Sequence, residues 1–377
     1  IEWKEVEFNN SEYFEVKKGK SITKDRVSDG NVPVVAGGQH PAYYHNKSNR
    51  EGETITISGS GAYAGFVNYF KKPIFASDCS TVQTKTELIS TKYAYLFLKS
   101  YQSRIYLLQK GIAQPHVYPK DVIKIKIPLP FSNEKPDLKE QERIVSILGK
   151  AETLKQKGKN AKDLLDEYLK STFNEMFLIE EFTKERLRDN TSLISSGSTP
   201  LGGNKNYLDF GDILFIRSQN VLMNKFSNHD KLFISKEIHD KMKRTWVKKN
   251  DVLLNITGAS IGRTAVYLGE DNQANVNQHV CIIRLNKELN PLYVNYYLSS
   301  NVIQGYIKKI NSGGTREALN FKQIGNINIS LPPLPLQQKF AKIVEQIEKM
   351  KENIKETNLN SKMLFDSLMH KAFMGEL

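Results

Sequence analysis

Two long stretches of this 377-residue chain carry seam residues in alternating steps of four and three, with Lys, Glu, Gln and Asn between them. In the first the seam is Ile147, Ala151, Leu154, Gly158, Ala161, Leu165, Tyr168 and Thr172. In the second it is Ile343, Ile347, Met350, Ile354, Thr357, Ser361, Leu364 and Leu368. This is a narrow heptad seam, which predicts helices roughly 55–60 Å long. A helix with so little apolar surface needs a partner helix, and the other stretch is the nearest one available. The two stretches are also copies of each other: Gln141 falls on Gln337, Ile147 on Ile343 and Leu154 on Met350. Further along, Phe173 falls on Phe373, so the second copy is longer by about one helical turn. Each copy follows a proline-bearing stop, Ile127-Pro-Leu-Pro130 or Leu331-Pro-Pro-Leu-Pro335.

A repeat of this length makes a protein of two similar halves. Halves that each end in a long helix pack most simply around a pseudo-twofold axis, which makes the helices antiparallel. Gly158 costs about 1 kcal/mol relative to Ala inside a helix. The expectation is that large seam residues near Ile354 approach it; the alternative is a kink at Gly158. The fold class is therefore α+β: two similar mixed α/β units joined by two long helices packed as an antiparallel coiled coil. The expected boundaries are a first unit over 1–135, a helix over 136–179, a second unit over 180–334 and a helix over 335–377.

Within the first unit, short β-like runs alternate with turn residues at Val32–Val35, Thr54–Ile57 and Gly65–Phe70. A helix follows at Lys92–Ser100, and an alternating strand, Asp121–Ile127, closes the unit. The second unit repeats the order of events. Asp251–Ile256 corresponds to Glu53–Ile57, and Thr257-Gly-Ala-Ser-Ile-Gly262 to Ser58-Gly-Ser-Gly-Ala62. The helix at Pro291–Ser299 corresponds to the one at Lys92, and Gly313-Gly-Thr-Arg316 to Gly111-Ile-Ala-Gln-Pro115. Asn326–Leu331 is again the closing strand. The landmarks repeat while the loops between them share little, as expected for two copies of one reader.

Net charge is +13 and the pI near 9.3. That balance suits a polyanionic partner, and basic residues interleaved with aromatics suit nucleic acid. An ordinary soluble protein rich in Lys has the same composition. The two cysteines, Cys79 and Cys281, are far apart and form neither a metal spacing nor a disulfide framework. No stretch has the length and apolarity of a membrane span, and the N-terminus has no signal-peptide pattern. The expected location is cytoplasmic, and the missing initiator Met points to a trimmed or an incomplete chain.

A catalytic site is hard to find, and no cofactor or metal is expected. Asn290-Pro-Leu-Tyr293 departs from the Asn-Pro-Pro-Tyr pattern of amino-methyltransferases at its third residue and fits an N-cap followed by Pro at the first helical position. There is no phosphate-binding Gly-x-x-x-x-Gly-Lys-Ser/Thr loop and no His-Glu-x-x-His. Gly59-Ser-Gly61 could hold a phosphate through backbone N–H groups, or could simply be a tight turn. Stronger candidates are polar loops. In the first unit Gln39, His40, Tyr43 and Tyr44 lie on one such loop, with Ser60, Tyr63 and Gln114 on others. In the second, Arg217, Gln219 and Asn220 stand next to a strand; Arg can bridge guanine O6 and N7, and Gln or Asn adenine N6 and N7. Ser198, Thr199 and Lys205 could meet phosphates. Ser260, Arg263, Thr315 and Arg316 complete the set. Any one of these fits a solvated surface loop; as a set they fit DNA contact.

With these residues in view the chain resembles the specificity (S) subunits of type I restriction–modification systems over essentially its whole length. The resemblance rests on the strand, Pro-Leu-Pro and Glu-Gln-x-Arg-Ile-Val-x-Ile-Leu transition at Ile127–Leu148 and its repeat at Ile329–Val344. Lys371-Ala-Phe-Met-Gly-Glu-Leu377, Gly197-Ser-Thr-Pro200, Ile216-Arg-Ser-Gln-Asn-Val221 and Gly111-Ile-Ala-Gln-Pro-His116 add to it. It implies two target-recognition domains, each reading one half of a split double-stranded DNA target. It also implies that the paired helices set the gap and dock two methyltransferase subunits, which nuclease–translocase subunits join, and that the chain itself is not an enzyme. Three other readings stay open: the recognition subunit of a type IIB-like restriction enzyme, part of a stand-alone methyltransferase, and a non-catalytic helical adaptor that does not read DNA.

Overall fold

A computed structural model of the chain describes residues 1–111, 113–200, 202–311 and 318–377. They form two compact units, one made of Ile1–Asn160 with Lys355–Leu377, the other of Ala161–Ile354. The first unit opens with β1 (Glu2–Glu7), β2 (Phe14–Lys18), β3 (Val32–Val35), β4 (Tyr43–His45), β5 (Thr54–Ser58), β6 (Val67–Phe70), β7 (Phe75–Ala76) and β8 (Cys79–Thr84). Helices α1 (Thr91–Ser100), α2 (Gln102–Tyr106) and α3 (Pro119–Val122) follow, then β9 (Lys126–Ser132), β10 (Lys135–Pro136) and the long α4 (Leu138–Phe177). β2, β8, β5 and β6 form a four-stranded sheet in that order; β4, β3 and β7 form a second sheet and β1, β9 and β10 a third.

The second unit runs through β11 (Lys184–Arg186), β12 (Thr191–Ser196), β13 (Ile213–Ile216), β14 (Val221–Leu222), β15 (Lys225–Phe226), β16 (Leu232–Ile234) and α5 (Lys236–Lys241). It continues with β17 (Val252–Asn255), β18 (Thr264–Val266), β19 (Ala274–Val276), β20 (Val280–Leu285), α6 (Pro291–Ser299), α7 (Asn301–Asn311), α8 (Phe321–Gly325), β21 (Asn328–Ser330) and α9 (Leu334–Met374). Its sheets, β12-β20-β17-β18 and β16-β13-β19, repeat the first unit strand for strand. The parallel pair β3–β7 recurs as β13–β19. The β14–β15 hairpin and α5 are additions of the second unit.

At the close of the first unit the elements differ from those expected from the sequence. Pro119 starts the helical turn α3, so the closing strand begins at Lys126 instead of Asp121. That strand runs through Pro128 and Pro130, so the first Pro-Leu-Pro is part of β9 and not a stop.

Each unit receives the start of one long helix and the end of the other. In the first unit Ile144 and Leu148 of α4 and Met369 and Ala372 of α9 enter one core with Tyr93 and Leu98 of α1. In the second, Leu169, Phe173 and Phe177 of α4 and Phe340, Val344 and Ile347 of α9 surround Tyr293. The helices therefore pair antiparallel in both. Phe373 lies 5.3 Å from Tyr93 edge-on, and Phe173 lies 5.9 Å from Tyr293.

The contact line between the helices is only half the expected one. Ala151 and Ile347 are buried, Gly158, Ala161, Leu165, Ile354 and Leu368 are half-buried, and so are Ile147 and Ile343. Leu154, Tyr168, Met350 and Leu364 are 57%, 53%, 50% and 51% exposed. For three of them the place is taken one residue later, by buried Leu169 and half-buried Lys351 and Phe365, while Lys155 is exposed, as Leu154 is. Lys155 Nζ sits 5.7 Å from the Phe365 ring centre, and Lys351 bridges Asp166 and Glu348. Gly158 does have a close neighbour, but it is Asn358, not Ile354: a Cβ there would fall 2.7 Å from Asn358 Cγ. Helix α4 runs unbroken through Gly158.

Candidate nucleic-acid interface

At the end of the four-stranded sheet where β5 stops, the first unit folds Ser60-Gly-Ala-Tyr-Ala-Gly65 into a turn. Gly61 and Gly65 have φ of +81° and +91°, a region that suits glycine. Gly65 N–H donates to Ser58 O at 2.7 Å, and Gln102 Nε2 donates to Gly65 O at 2.7 Å. The Ser60 hydroxyl donates to the Asp78 carboxylate, just ahead of β8. Gly59 leaves room for that carboxylate: a Cβ there would lie 2.7 Å from Asp78 Oδ1. Gly59 N–H donates to Asp78 O and Gly61 N–H to Pro115 O, both at 3.0 Å. Those two N–H groups are thus committed, which removes the phosphate-cradle reading of Gly59–Gly61. Around the turn lie exposed Gln39, His40, Tyr63 and Gln114. Asn68 Nδ2 fixes the first loop by donating to Gln39 O at 2.9 Å. Tyr43 and Tyr44 sit on β4, Tyr43 half-buried and Tyr44 exposed.

The second unit builds the same turn from Thr257-Gly-Ala-Ser-Ile-Gly262. Gly258 and Gly262 have φ of +66° and +83°; Gly262 N–H donates to Asn255 O at 2.9 Å, and Gln304 Nε2 donates to Gly262 O at 2.9 Å. The equivalent of Thr257 is therefore Ser60, two residues beyond the Ser58 that sequence comparison gave. Thr257 Oγ1 meets His279 Nδ1 at 2.6 Å, again just ahead of the sheet strand. A chain of contacts leads outward: His279 Nε2 to Gln278 Nε2 at 3.1 Å, and Gln278 Oε1 to the Thr199 hydroxyl. Ser198, Thr199, Lys205, Gln219, Gln278 and Arg263 are exposed and Ser260 is half-buried.

Two residues of the Arg-Ser-Gln-Asn segment face inward. Asn220 is 1% exposed; its Oδ1 accepts from Arg217 N and its Nδ2 donates to Ser227 O and His229 O. Arg217 donates from Nη2 to Asp230 O at 2.6 Å, so its fork is partly engaged in holding the 227–230 loop. Gln219 remains free to reach outward. Thr315 and Arg316 lie outside the described residues. Sequence reasoning missed Asp78, Gln278 and His279. Their signal was the spacing of the two Ser/Thr-Gly-Ala-x-x-Gly turns, which identifies the equivalent residue ahead of the last sheet strand.

A family model described as the type I restriction modification DNA specificity domain matches residues 1–162 and 180–362. The chain belongs to this family. Among curated relatives, the specificity subunit of the type I restriction enzyme EcoBI from Escherichia coli is 35% identical over 152 residues, which is 38% of this chain and 31% of that protein. The MjaVIII specificity subunit from Methanocaldococcus jannaschii is 23% identical over 83% of this chain and 80% of its own length. The crystal structure of a type I S subunit from M. genitalium aligns with a TM-score of 0.60 over 99% of this chain and 96% of that one, at 19% identity. A structure from work on assembly and conformational transition of the type I system aligns at 0.57 over 100% of this chain and 98% of that one, at 19% identity. These likenesses agree with the two repeated specificity domains and with the long helices that close each.

Proposed function

We propose that the chain is the DNA-reading subunit of a type I restriction–modification complex and carries no catalytic site of its own. Residues 1–135 read one half of a split target and residues 180–334 the other; the helices at 136–179 and 335–377 set the gap. The observation that carries this reading is the turn built twice, at Ser60–Gly65 and Thr257–Gly262, on the same scaffold with different side chains around it. A repeated frame with unlike polar side chains is what two readers of different sequences need, because base edges specify while phosphate contacts position.

Two methyltransferase subunits dock on the helices, and nuclease–translocase subunits join through them. Exposed Leu154, Leu164 and Tyr168 on α4 and Met350, Leu359 and Met363 on α9 supply apolar surface for such docking.

The test is a methylome. The chain is expressed with the neighbouring methyltransferase gene in a host lacking such systems, and genomic DNA is sequenced for methylated adenine. One split, asymmetric motif with a fixed gap is expected, and exchanging residues 180–334 should change one half only. No modification from a soluble, assembled complex would overturn the reading.

A further inference from the structure

The repeated turn places one hydroxyl at the same point of each unit, Ser60 and Thr257, and gives each a different partner, Asp78 and His279. We infer that these pairs are base-selecting positions of opposite polarity. Asp78 accepts an exocyclic amine, of cytosine or adenine, in the half-site under the first unit. The His279 network donates to a base carbonyl, guanine O6 or thymine O4, in the other. The inference rests on the DNA-reading function proposed above.

The equivalence is fixed by the backbone. Gly59 N–H donates to Asp78 O and Ile256 N–H to His279 O, each at 3.0 Å. Ser60 bridges His116 and Thr257 bridges Ala318 in the same antiparallel manner. The polarity follows from donor counting. Ser60 uses its hydrogen on Asp78, so the carboxylate keeps acceptor capacity and the pair has no side-chain hydrogen left to give. In the second unit Gln278 Oε1 accepts from Thr199, so its amide donates to His279 Nε2, and His279 Nδ1–H donates to Thr257 Oγ1. The Thr257 hydroxyl hydrogen and the second Gln278 N–H are left over, and both are donors. In the major groove such a difference separates amine-bearing from carbonyl-bearing positions. Gln278 is exposed, and Asp78 and His279 are half-buried just ahead of β8 and β20; exposed Gln39 and Thr199 lie on the loops after β3 and β12.

The experiment is the same methylome, run with the full complex carrying Asp78→Asn or His279→Asp. Asp78→Asn supplies a donor where there was none, and discrimination at one position of one half-site should fall about tenfold to a hundredfold. His279→Asp should shift one position of the other half-site towards an amine-bearing base. A wild-type motif retained intact by both variants, or methylation lowered evenly at all sites, overturns the inference while the DNA-reading function stands. A wild-type complex with no split motif sinks that function instead. Should Asp78→Asn abolish modification, Ser60→Ala decides, since it keeps the acceptor carboxylate but removes the hydroxyl that holds it. Discrimination relaxed at one position of that half-site, with the same amine-bearing base still preferred, supports the assignment; discrimination left at full strength or lost evenly over the half-site overturns it.

Discussion

Gln141 and Ser90 are 51 residues apart in sequence, and the buried side chain of one holds the backbone of the other: Gln141 Oε1 accepts from Ser90 N–H at 3.0 Å. Its Nε2 donates to Leu88 O at 3.0 Å. Ser90 is the N-cap of α1, so the first turn of the long helix is fastened to the start of a helix in the specificity domain. The device is duplicated. Gln337 Oε1 accepts from Asn290 N–H at 2.8 Å, and Asn290 caps α6. Replacing Gln141 by Leu strips the N–H of half-buried Ser90 and the C=O of exposed Leu88 of their partners. A group shut off from water costs about 1–3 kcal/mol and a wetted one less, so Gln141→Leu should destabilise by about 1–3 kcal/mol. Gln337→Leu should do the same. Urea denaturation of the full chain measures both, and a loss below about 0.5 kcal/mol would remove the clamp from the account.

Gly158 and Asn358 share one contact, which makes the substitution test a paired one. Gly158→Ala gains helix propensity of about 1 kcal/mol but drives a Cβ into the Asn358 carboxamide. Alone it should be close to neutral. Combined with Asn358→Ala the gain should appear, with a coupling of about 0.5–1 kcal/mol in the double-mutant cycle. Strict additivity would mean that the carboxamide moves aside at no cost. Gly158→Leu should destabilise by about 1–3 kcal/mol through overpacking.

Much of the fold was legible because apolar period and duplication agree: the copies of Gln141 and Phe173 were readable before any coordinate. The seam was half wrong for a physical reason. Apolar counting favours Leu154 over Lys155 and Met350 over Lys351. Lys351 can nevertheless lay its stem along the seam and place its charge on Asp166 and Glu348, which leaves Met350 outside, while Lys155 puts its charge over the Phe365 ring and neither it nor Leu154 is buried. The candidate site was legible as a set of loops, not as individual contacts. Residue type cannot say that Asn220 points inward, since an amide suits a buried loop clamp and an adenine equally well. The Ser60 and Thr257 turns were readable only with the two-residue shift that the Gly65 and Gly262 hydrogen bonds fix.

Asn220 and Arg263 should therefore respond differently. Asn220→Ala leaves Ser227 O and His229 O without their donor and should lower stability by about 1–3 kcal/mol while the methylated motif keeps its sequence. Arg263 is exposed beside the Thr257 turn, where a guanidinium suits a phosphate. Arg263→Ala should weaken DNA binding by the assembled complex evenly across sequences. The slope of log K against log salt should become shallower by about one. A motif change with Asn220→Ala, or an unchanged salt slope with Arg263→Ala, would reverse these roles.

His239 gives the second unit an acid-sensitive point. It is 4% exposed, stacked on Trp246 with ring centres 4.6 Å apart and planes 8° apart. The Asn275 carboxamide faces its Nδ1 and gives its own N–H to Thr245 O at 2.7 Å. Burial disfavours the imidazolium and lowers the pKa below the usual 6.5, outweighing the opposing pull of the Asn272 backbone and Asp240. A depressed folded-state pKa means that this contribution is complete above the unfolded value, about 6.5. It is lost as pH falls from there through the folded value, because the unfolded chain takes up the proton first. The slope from one such group cannot exceed about 1.4 kcal/mol per pH unit. The readout is a difference between proteins. Urea denaturation from pH 7.5 to 5.5 should show a steeper decline for the wild type than for His239→Gln, with the variant already weaker at pH 7.5. Parallel lines for the two would mean that the imidazole is accommodated equally well in both charge states.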